Sequence, residues 1–571
     1  KAVPPAFVFQ SRCGFSPYCD LESQFADRHD GVVSIPVRVF SLLRLSNASS
    51  PAARAACCFN PGAGFLPTAT SCVLGLLVAL AAGLRFFRLT AKPLWFDELA
   101  QVTVAQRGFV DMLHGVATHL SPPLDYAILH VVIRLFGPSE WVVRAVPATF
   151  GVLGVVALYL LARTLFNRET AGVSGTLLAL SQYHLYYSQE VRMYSLFTLL
   201  AICSFLFFVQ FVRHGRRAAF WAWVFSSLCL LYTHYFGIFV PAVQCLFLLI
   251  PGLHRTHTVN PWRSWAELRR CATGFLTMGL LFAPWLPTFW RQTSAAWLGG
   301  PRSLPYGFAA DWTFFLDTFR PLFWLADLDP GYNLLLIPLL GLVLLGTVFF
   351  GRRSTYRSET TLVALWALTP MVVSFLATLL VGPNATARNF IFLLPAFLVL
   401  LALGLVASRQ TIALRPRRIG LFYATTAILV AALAVPSLYT HYTNSNRNNW
   451  RETARYVETH TRPADEIDFL GDANHVGYFR YYHNGDTKVS LEMHQQEQAL
   501  RNYLSAIDSC TWVFASETGY NKFGAAHKRR ISSILHEYLT PVPGIYDDDS
   551  TDLGGLYQSP ECDSTRTVSG K

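Results

Sequence analysis

Two adjacent carboxylates, Asp97 and Glu98, follow Trp95-Phe96 in a stretch otherwise poor in charge. A carboxylate on the roof of an apolar cavity can take a proton from an acceptor hydroxyl as a general base. The competing reading is a solvated helix cap, because carboxylates favour the positive end of a helix dipole. A second cluster, Gln189-Glu190-Val191-Arg192, follows Tyr186 and Tyr187 at the edge of an apolar run. Glu and Arg at a membrane boundary are costly unless they pair or line a polar cavity. The planar fork of Arg192 suits a phosphate group, although an interfacial salt bridge within an aromatic belt reads the same. Arg388 opens another apolar run and is either a second phosphate ligand or a snorkelling anchor. His234, between Thr233 and Tyr235, reads first as a satisfied interfacial histidine.

The elements that must position these residues are membrane spans. Apolar residues make up 52% of the 571 and charged residues only 14%, with mean hydropathy +0.33, which excludes an ordinary soluble protein. Eleven apolar runs of spanning length are read at 71–89, 141–162, 170–187, 194–212, 218–233, 235–253, 271–288, 332–350, 360–381, 389–407 and 419–438. The net charge of +11 is not a nucleic-acid signal, because Lys and Arg sit in short clusters between these runs. One set of alternate loops, including Arg213, Arg216 and Arg217, holds 16 basic residues; the opposite loops between residues 90 and 388 hold nine over longer stretches. The first set is therefore expected on the cytoplasmic side. That places Asp97, Glu190, Arg192, His234 and Arg388 on the outer face, together with residues 439–571.

Three regions flank or interrupt the spans. Residues 1–70, rich in Ala, Pro and Ser, are expected as a disordered cytoplasmic arm, with no cleavable signal peptide pattern and no function assigned. The loop 90–140 should carry juxtamembrane helices, Glu98–Arg107 closed by Gly108 and Asp125–Phe136 closed by Gly137-Pro138. The loop 289–331, rich in Trp, Pro and Phe, reads as a mobile lid or an aromatic shelf. Residues 439–571 alternate helices (450–460, 475–482, 495–506, 527–539) with strands (466–471, 488–492, 511–515), the pattern of a small α/β domain. That domain could select acceptors or merely cap the bundle. Cys510 and Cys562 are its candidate disulfide. No Cys/His spacing resembles a zinc site, and no Gly-rich phosphate loop or dinucleotide fingerprint is present. Asn47-Ala48-Ser49 and Asn384-Ala385-Thr386 fit the N-glycosylation pattern.

Four motifs in order carry a resemblance. They are Trp95 to Glu98, the Ser121 to Tyr126 segment SPPLDY, the His184 to Ser195 segment HLYYSQEVRMYS, and Ala387 to Pro395. Their order and spacing resemble the GT-C glycosyltransferases of the protein O-mannosyltransferase and aminoarabinose-transferase group, from about residue 71 through the opening Asn449 to Val457 of the last domain. The resemblance implies a polytopic α-helical membrane protein of GT-C type with an extracytoplasmic C-terminal domain, in a bacterial inner membrane. It implies transfer of one sugar from a polyprenyl-phosphate carrier to an extracytoplasmic acceptor. By that resemblance Asp97 is the base, Glu98 supports it or binds the acceptor, and Arg388 holds the lipid phosphate. Ser121 departs from the pattern, since relatives often carry His or Lys before the Pro-Pro pair; His119 is the substitute phosphate contact. Glu190 and Arg192 match a structural or donor-related cluster, with Gln189, Tyr187 and His234 as further site candidates. No cofactor is implied, and a divalent metal is left open.

The chemistry is coherent without the analogy. A sugar on a lipid phosphate is already activated, because the phosphate leaves readily once Arg meets its charge. Displacement by the deprotonated acceptor hydroxyl would invert the anomeric centre. Two other classes stay open: a lipid or solute transporter, which should show internal repeats and ionisable groups at midplane, and a non-enzymatic membrane partner that binds through its outer domain.

Overall fold

The computed structural model describes residues 8–9, 32–33, 61–118, 121–250, 265–298, 313–323, 334–353, 355–381, 386–411, 416–443, 450–462, 464–470, 473–483, 485, 487–492, 494, 496–515, 525–542 and 555–564. His119, Asn47, Asn384 and the 299–312 and 324–331 parts of the expected lid lie outside them. Residues Lys1–Thr70 form one compact unit, in which β1 (Val8–Phe9) and β2 (Val32–Val33) pair in parallel. Ser71–Lys571 form the other.

The helices run α1 (Pro61–Phe86), α2 (Phe96–Gln106), α3 (Phe109–Thr118), α4 (Leu124–Phe136), α5 (Glu140–Leu165), α6 (Arg168–Leu180), α7 (Gln182–Ser188), α8 (Tyr194–His214), α9 (Arg217–Leu231) and α10 (Phe239–Leu249). They continue as α11 (Trp265–Phe282), α12 (Leu286–Leu298), α13 (Thr313–Leu322), α14 (Leu336–Gly351), α15 (Arg357–Val381), α16 (Leu394–Thr411) and α17 (Pro416–Thr443). Of the eleven expected spans, six are helical stretches long and apolar enough to cross a membrane: Glu140–Leu165, Tyr194–His214, Arg269–Ser294, Arg357–Leu380, Ala387–Gln410 and Ala424–Thr443. Four more appear as shorter apolar helices, Cys72–Phe86, Arg217–Leu231, Tyr235–Leu249 and Leu336–Gly351.

The eleventh, expected at 170–187, is not one helix. It breaks at Ser181, whose extended backbone (ψ 111°) ends α6 while its hydroxyl accepts the His184 N–H at the start of α7. The carbonyls of Ala179 and of Leu178, which also accepts the Ser181 N–H, are met by the buried guanidinium of Arg85 at 3.2 Å each. Hydropathy cannot show this, because a polar Ser-Gln step is compatible with either outcome.

The spans pack through small residues where they cross closely. At Gly404 of α16 a Cβ would come within 2.0 Å of the Leu342 carbonyl oxygen of α14, so only glycine allows that approach. Away from the site, α8 and α16 end in ion pairs with neighbouring helices, Arg213–Glu359 at 2.8 Å and Arg409–Glu169 at 2.9 Å.

The C-terminal region is the expected α/β layer. Helices α18 (Trp450–His460), α19 (Ala473–Tyr482), α20 (Glu497–Leu504), α21 (Ala525–Tyr538) and α22 (Glu561–Ser564) accompany β3 (Glu466–Leu470), β4 (Lys488–Glu492), β5 (Thr511–Ala515), β6 (Thr540–Pro541) and β7 (Gly555–Gln558). The sheet order is β4-β3-β5-β7-β6, parallel through β5 and antiparallel at β7. Cys510 and Cys562 are bridged. Its core is continuous with the juxtamembrane helices: Leu99, Val102, Leu129 and Val143 join Trp450, Phe469, Tyr478 and Phe514 in one apolar cluster.

Candidate active site

The site begins at the mouth of α2. The helix starts at Phe96, and the bond to its N-terminal end comes from Glu98, whose Oε2 accepts the Trp95 N–H at 3.2 Å. Asp97 is therefore not the cap that one reading of the sequence gave it. Its half-buried carboxylate instead pairs with Arg388, Oδ2 to Nη1, at 3.2 Å. Arg388 is brought there by a 3-10 turn, Ala387–Leu393, which begins with Thr386 and Asn389 side chains bonding each other.

Glu98 faces the other way and is fully buried. Arg144 grips it with two donors, Nε to Oε1 at 2.9 Å and Nη2 to Oε2 at 2.6 Å. Oε1 also accepts the Val191 N–H at 2.9 Å. The remaining donors of Arg144 reach the carbonyls of Leu89, Lys92 and Pro93. One carboxylate thus ties the approach to α2, the mouth of α5 and the 190–192 segment together. Of the two roles expected for Glu98, support for its neighbour fits this geometry; contact with an acceptor does not fit a side chain with no exposed surface.

Because Val191 is held by Glu98, Arg192 is delivered to the face that Asp97 occupies. Burial would lower its guanidinium, but Tyr194, Asp97, Tyr126 and Glu190 together hold it above the ordinary arginine value. Its Nε is buried without a hydrogen-bond partner. Glu190 is buried beside it. Arg388 shares Tyr194 and Asp97 with Arg192 and also faces Tyr187, which packs edge-on against Tyr194 at 4.6 Å. His234 lies under both arginines, stacked on Phe197 at 4.7 Å, with Nε2 3.3 Å from the Asn389 amide. Burial first, and then the charges of Arg192 and Arg388, push its imidazole down to about 3, so it is neutral.

Other expected members lie elsewhere. Gln189 is a structural latch: its amide donates to the Arg85 and Phe87 carbonyls at 2.9 Å each, and its Oε1 meets His441 Nε2 at 2.9 Å. That holds the end of α1 to α17. Ser121 is buried. Asp125 and Tyr126, part of the SPPLDY segment but given no role from sequence, line the site from α4. Asp125 is buried and hydrogen-bonded by Gln101. Burial raises its carboxyl to about 6 against the opposing effects of Gln101 and Arg192. The signal that could have found it is the charge itself, since an acid inside an apolar helix face is costly without a partner. No group of three or more His, Cys, Asp or Glu side chains that could hold a metal ion occurs among the described residues.

Part of this site, from Asp125 through Arg192 to His234, lies in a stretch that matches a known family. Residues 121–285 match the family described as dolichyl-phosphate-mannose-protein mannosyltransferase. The fold is similar to that of ArnT from Cupriavidus metallidurans in the apo state, at 14% identity and TM-score 0.55, covering 86% of this chain and 99% of that one. It is similar to the same enzyme bound to undecaprenyl phosphate at TM-score 0.52 and 14% identity, covering 85% and 97%. The archaeal oligosaccharyltransferase AglB from Archaeoglobus fulgidus, in complex with an inhibitory peptide and a dolichol-phosphate, follows at TM-score 0.50 and 11% identity, covering 79% and 70%. No curated protein sequence matches. The chain is a multi-pass helical membrane protein with the fold of these solved structures, the fold that the four motifs imply.

Proposed function

We propose that this protein moves a single sugar from a polyprenyl-phosphate carrier to a hydroxyl acceptor on the extracytoplasmic side of a membrane, with Asp97 as base. The observation that carries the reading is the open Asp97–Arg388 pair, with Arg192 directed at the same carboxylate. Two guanidinium groups beside one carboxylate supply what a lipid-linked phosphate needs, and Arg388 is exposed enough to reach it. The solved relatives named above that were captured with undecaprenyl phosphate and dolichol-phosphate support a carrier of that class.

The reaction balances on these residues. The acceptor oxygen attacks the anomeric carbon as its proton passes to Asp97, and the bond from that carbon to the phosphate oxygen breaks on the opposite face. The departing phosphate takes the electron pair and is met by Arg388 and Arg192. His119 is a further candidate phosphate contact. A hydroxyl attacking in line predicts inversion. The basic asymmetry of the loops supports an orientation with the site and residues 439–571 outside, and the resemblance of the motifs to the bacterial branch supports a bacterial inner membrane.

Purified protein in nanodiscs, offered a panel of polyprenyl-phosphate hexoses and pentoses with a lipid or glycan acceptor, tests the reading by mass spectrometry of the product and NMR of its anomeric configuration. Sugar transfer with inversion is expected. Movement of intact lipid-linked sugar across the bilayer of sealed proteoliposomes, with no transfer in nanodiscs, would establish the transporter reading in its place.

A further inference from the structure

The C-terminal domain grips the segment that carries Asp97. Tyr478 of α19 sets its ring edge-on against Phe96 at 5.1 Å, with His475 at 6.2 Å from the same ring. One turn on, the Tyr482 hydroxyl accepts the Leu94 N–H at 2.8 Å and donates to Glu140. Glu140 is also paired with Arg451 of α18 at 2.8 Å, and Arg451 donates to the Thr90 carbonyl at 3.0 Å. Tyr481 donates to the Pro138 carbonyl. Further along, a Cβ at Gly477 would meet Thr103 Cγ2 at 3.7 Å, so α19 and α2 are in van der Waals contact. The polypeptide from Thr90 to Phe96 is thus held at three points by one domain, immediately before the carboxylate that faces Arg388.

We propose that this domain is a positioning clamp: through Tyr478 and Tyr482 it fixes the tilt of α2 and with it the reach of Asp97. The inference rests on the transferase reading for its kinetic consequence, but not for its structural one. Misplacement of a reacting group by about 1 Å can cost on the order of 10²-fold in rate. Loosening the clamp should therefore lower kcat with little effect on binding. A domain that selected acceptors would act the other way, raising the acceptor KM at constant kcat.

The test uses the full chain in nanodiscs with two readouts, steady-state kinetics and hydrogen–deuterium exchange of the 95–106 amides. Three variants are compared: Tyr478→Leu/Tyr482→Phe, the milder Tyr482→Phe, and Tyr503→Phe. Tyr503 donates to Asp468 inside the domain, away from α2, and controls for general loosening. The clamp predicts several-fold faster exchange at 95–106 in the first two variants, none in the third, and a fall in kcat of roughly 10-fold with both KM values within about twofold. Unchanged exchange in the double variant, an equal response in Tyr503→Phe, or a rise in acceptor KM alone would overturn it. If exchange responds as expected while the wild type transfers no sugar from any carrier, the clamp stands and the transferase reading fails.

Discussion

Asp97 and Glu98 are neighbours in sequence and opposites in environment. Asp97 shares a 3.2 Å pair with an arginine whose side chain is 42% exposed, and a second arginine faces the same carboxylate. Glu98 has no exposed surface and is held at 2.6 Å by an arginine almost as buried. The first arrangement can open to a ligand, since an exposed pair is worth little more than about 1 kcal/mol. The second cannot, because separating a buried pair strands a charge. One residue step along α2 divides the proposed base from the scaffold.

The comparison is most sharply broken at the buried member. Glu98→Ala or Arg144→Ala should destabilise the protein by about 3–5 kcal/mol, read as a fall in thermal unfolding temperature or a loss of folded yield. A variant of normal stability would place Glu98 with Asp97 as a working group. Arg388→Ala should leave stability nearly unchanged and weaken binding of the polyprenyl-phosphate donor by about 10- to 150-fold, the equivalent of roughly 1.5–3 kcal/mol. Lys at this position should restore only part, supplying charge without the planar fork. Unchanged donor affinity with weakened acceptor binding would transfer the phosphate role to Arg192.

A smaller effect separates Asp125 from both. Its carboxyl is raised from 3.8 to about 6, so the folded state resists ionising it. This acid therefore contributes most to stability below about pH 4, loses that contribution as pH rises towards 6, and changes nothing further above. Asp125→Asn keeps a partner for Gln101 and should be more stable than wild type at pH 7, with the difference vanishing near pH 4. Thermal unfolding across pH 4–7 gives the answer; a variant less stable than wild type at pH 7 would mean that Arg192 needs the ionised carboxylate.

Much of this was legible in the sequence. The helix 450–460 and the strands 488–492 and 511–515 fall where their patterns place them, and the loop charges already group Asp97, Arg192, His234 and Arg388, three of them within the ordered motifs. What was not legible depends on partners distant in the chain. Arg144 reads as one more loop arginine until the fold sets it on Glu98, 46 residues away. Gln189 reads as part of a polar cluster, yet its amide is spent on carbonyls of α1. The break at Ser181 is stabilised by Arg85, 94 residues from the Ala179 carbonyl it meets. Strand β7 was missed because Gly555–Gln558 is too short and irregular to show alternation.

The central claim is that Asp97 is the base and Glu98 its support. Turnover and donor binding of Asp97→Asn in nanodiscs test it most directly, because the amide keeps the shape and loses the basicity. Turnover should fall about 10²–10⁴-fold while the donor still binds and the protein unfolds at the wild-type temperature. Turnover near that of the wild type would contradict the account and reduce Asp97 to a partner for Arg388.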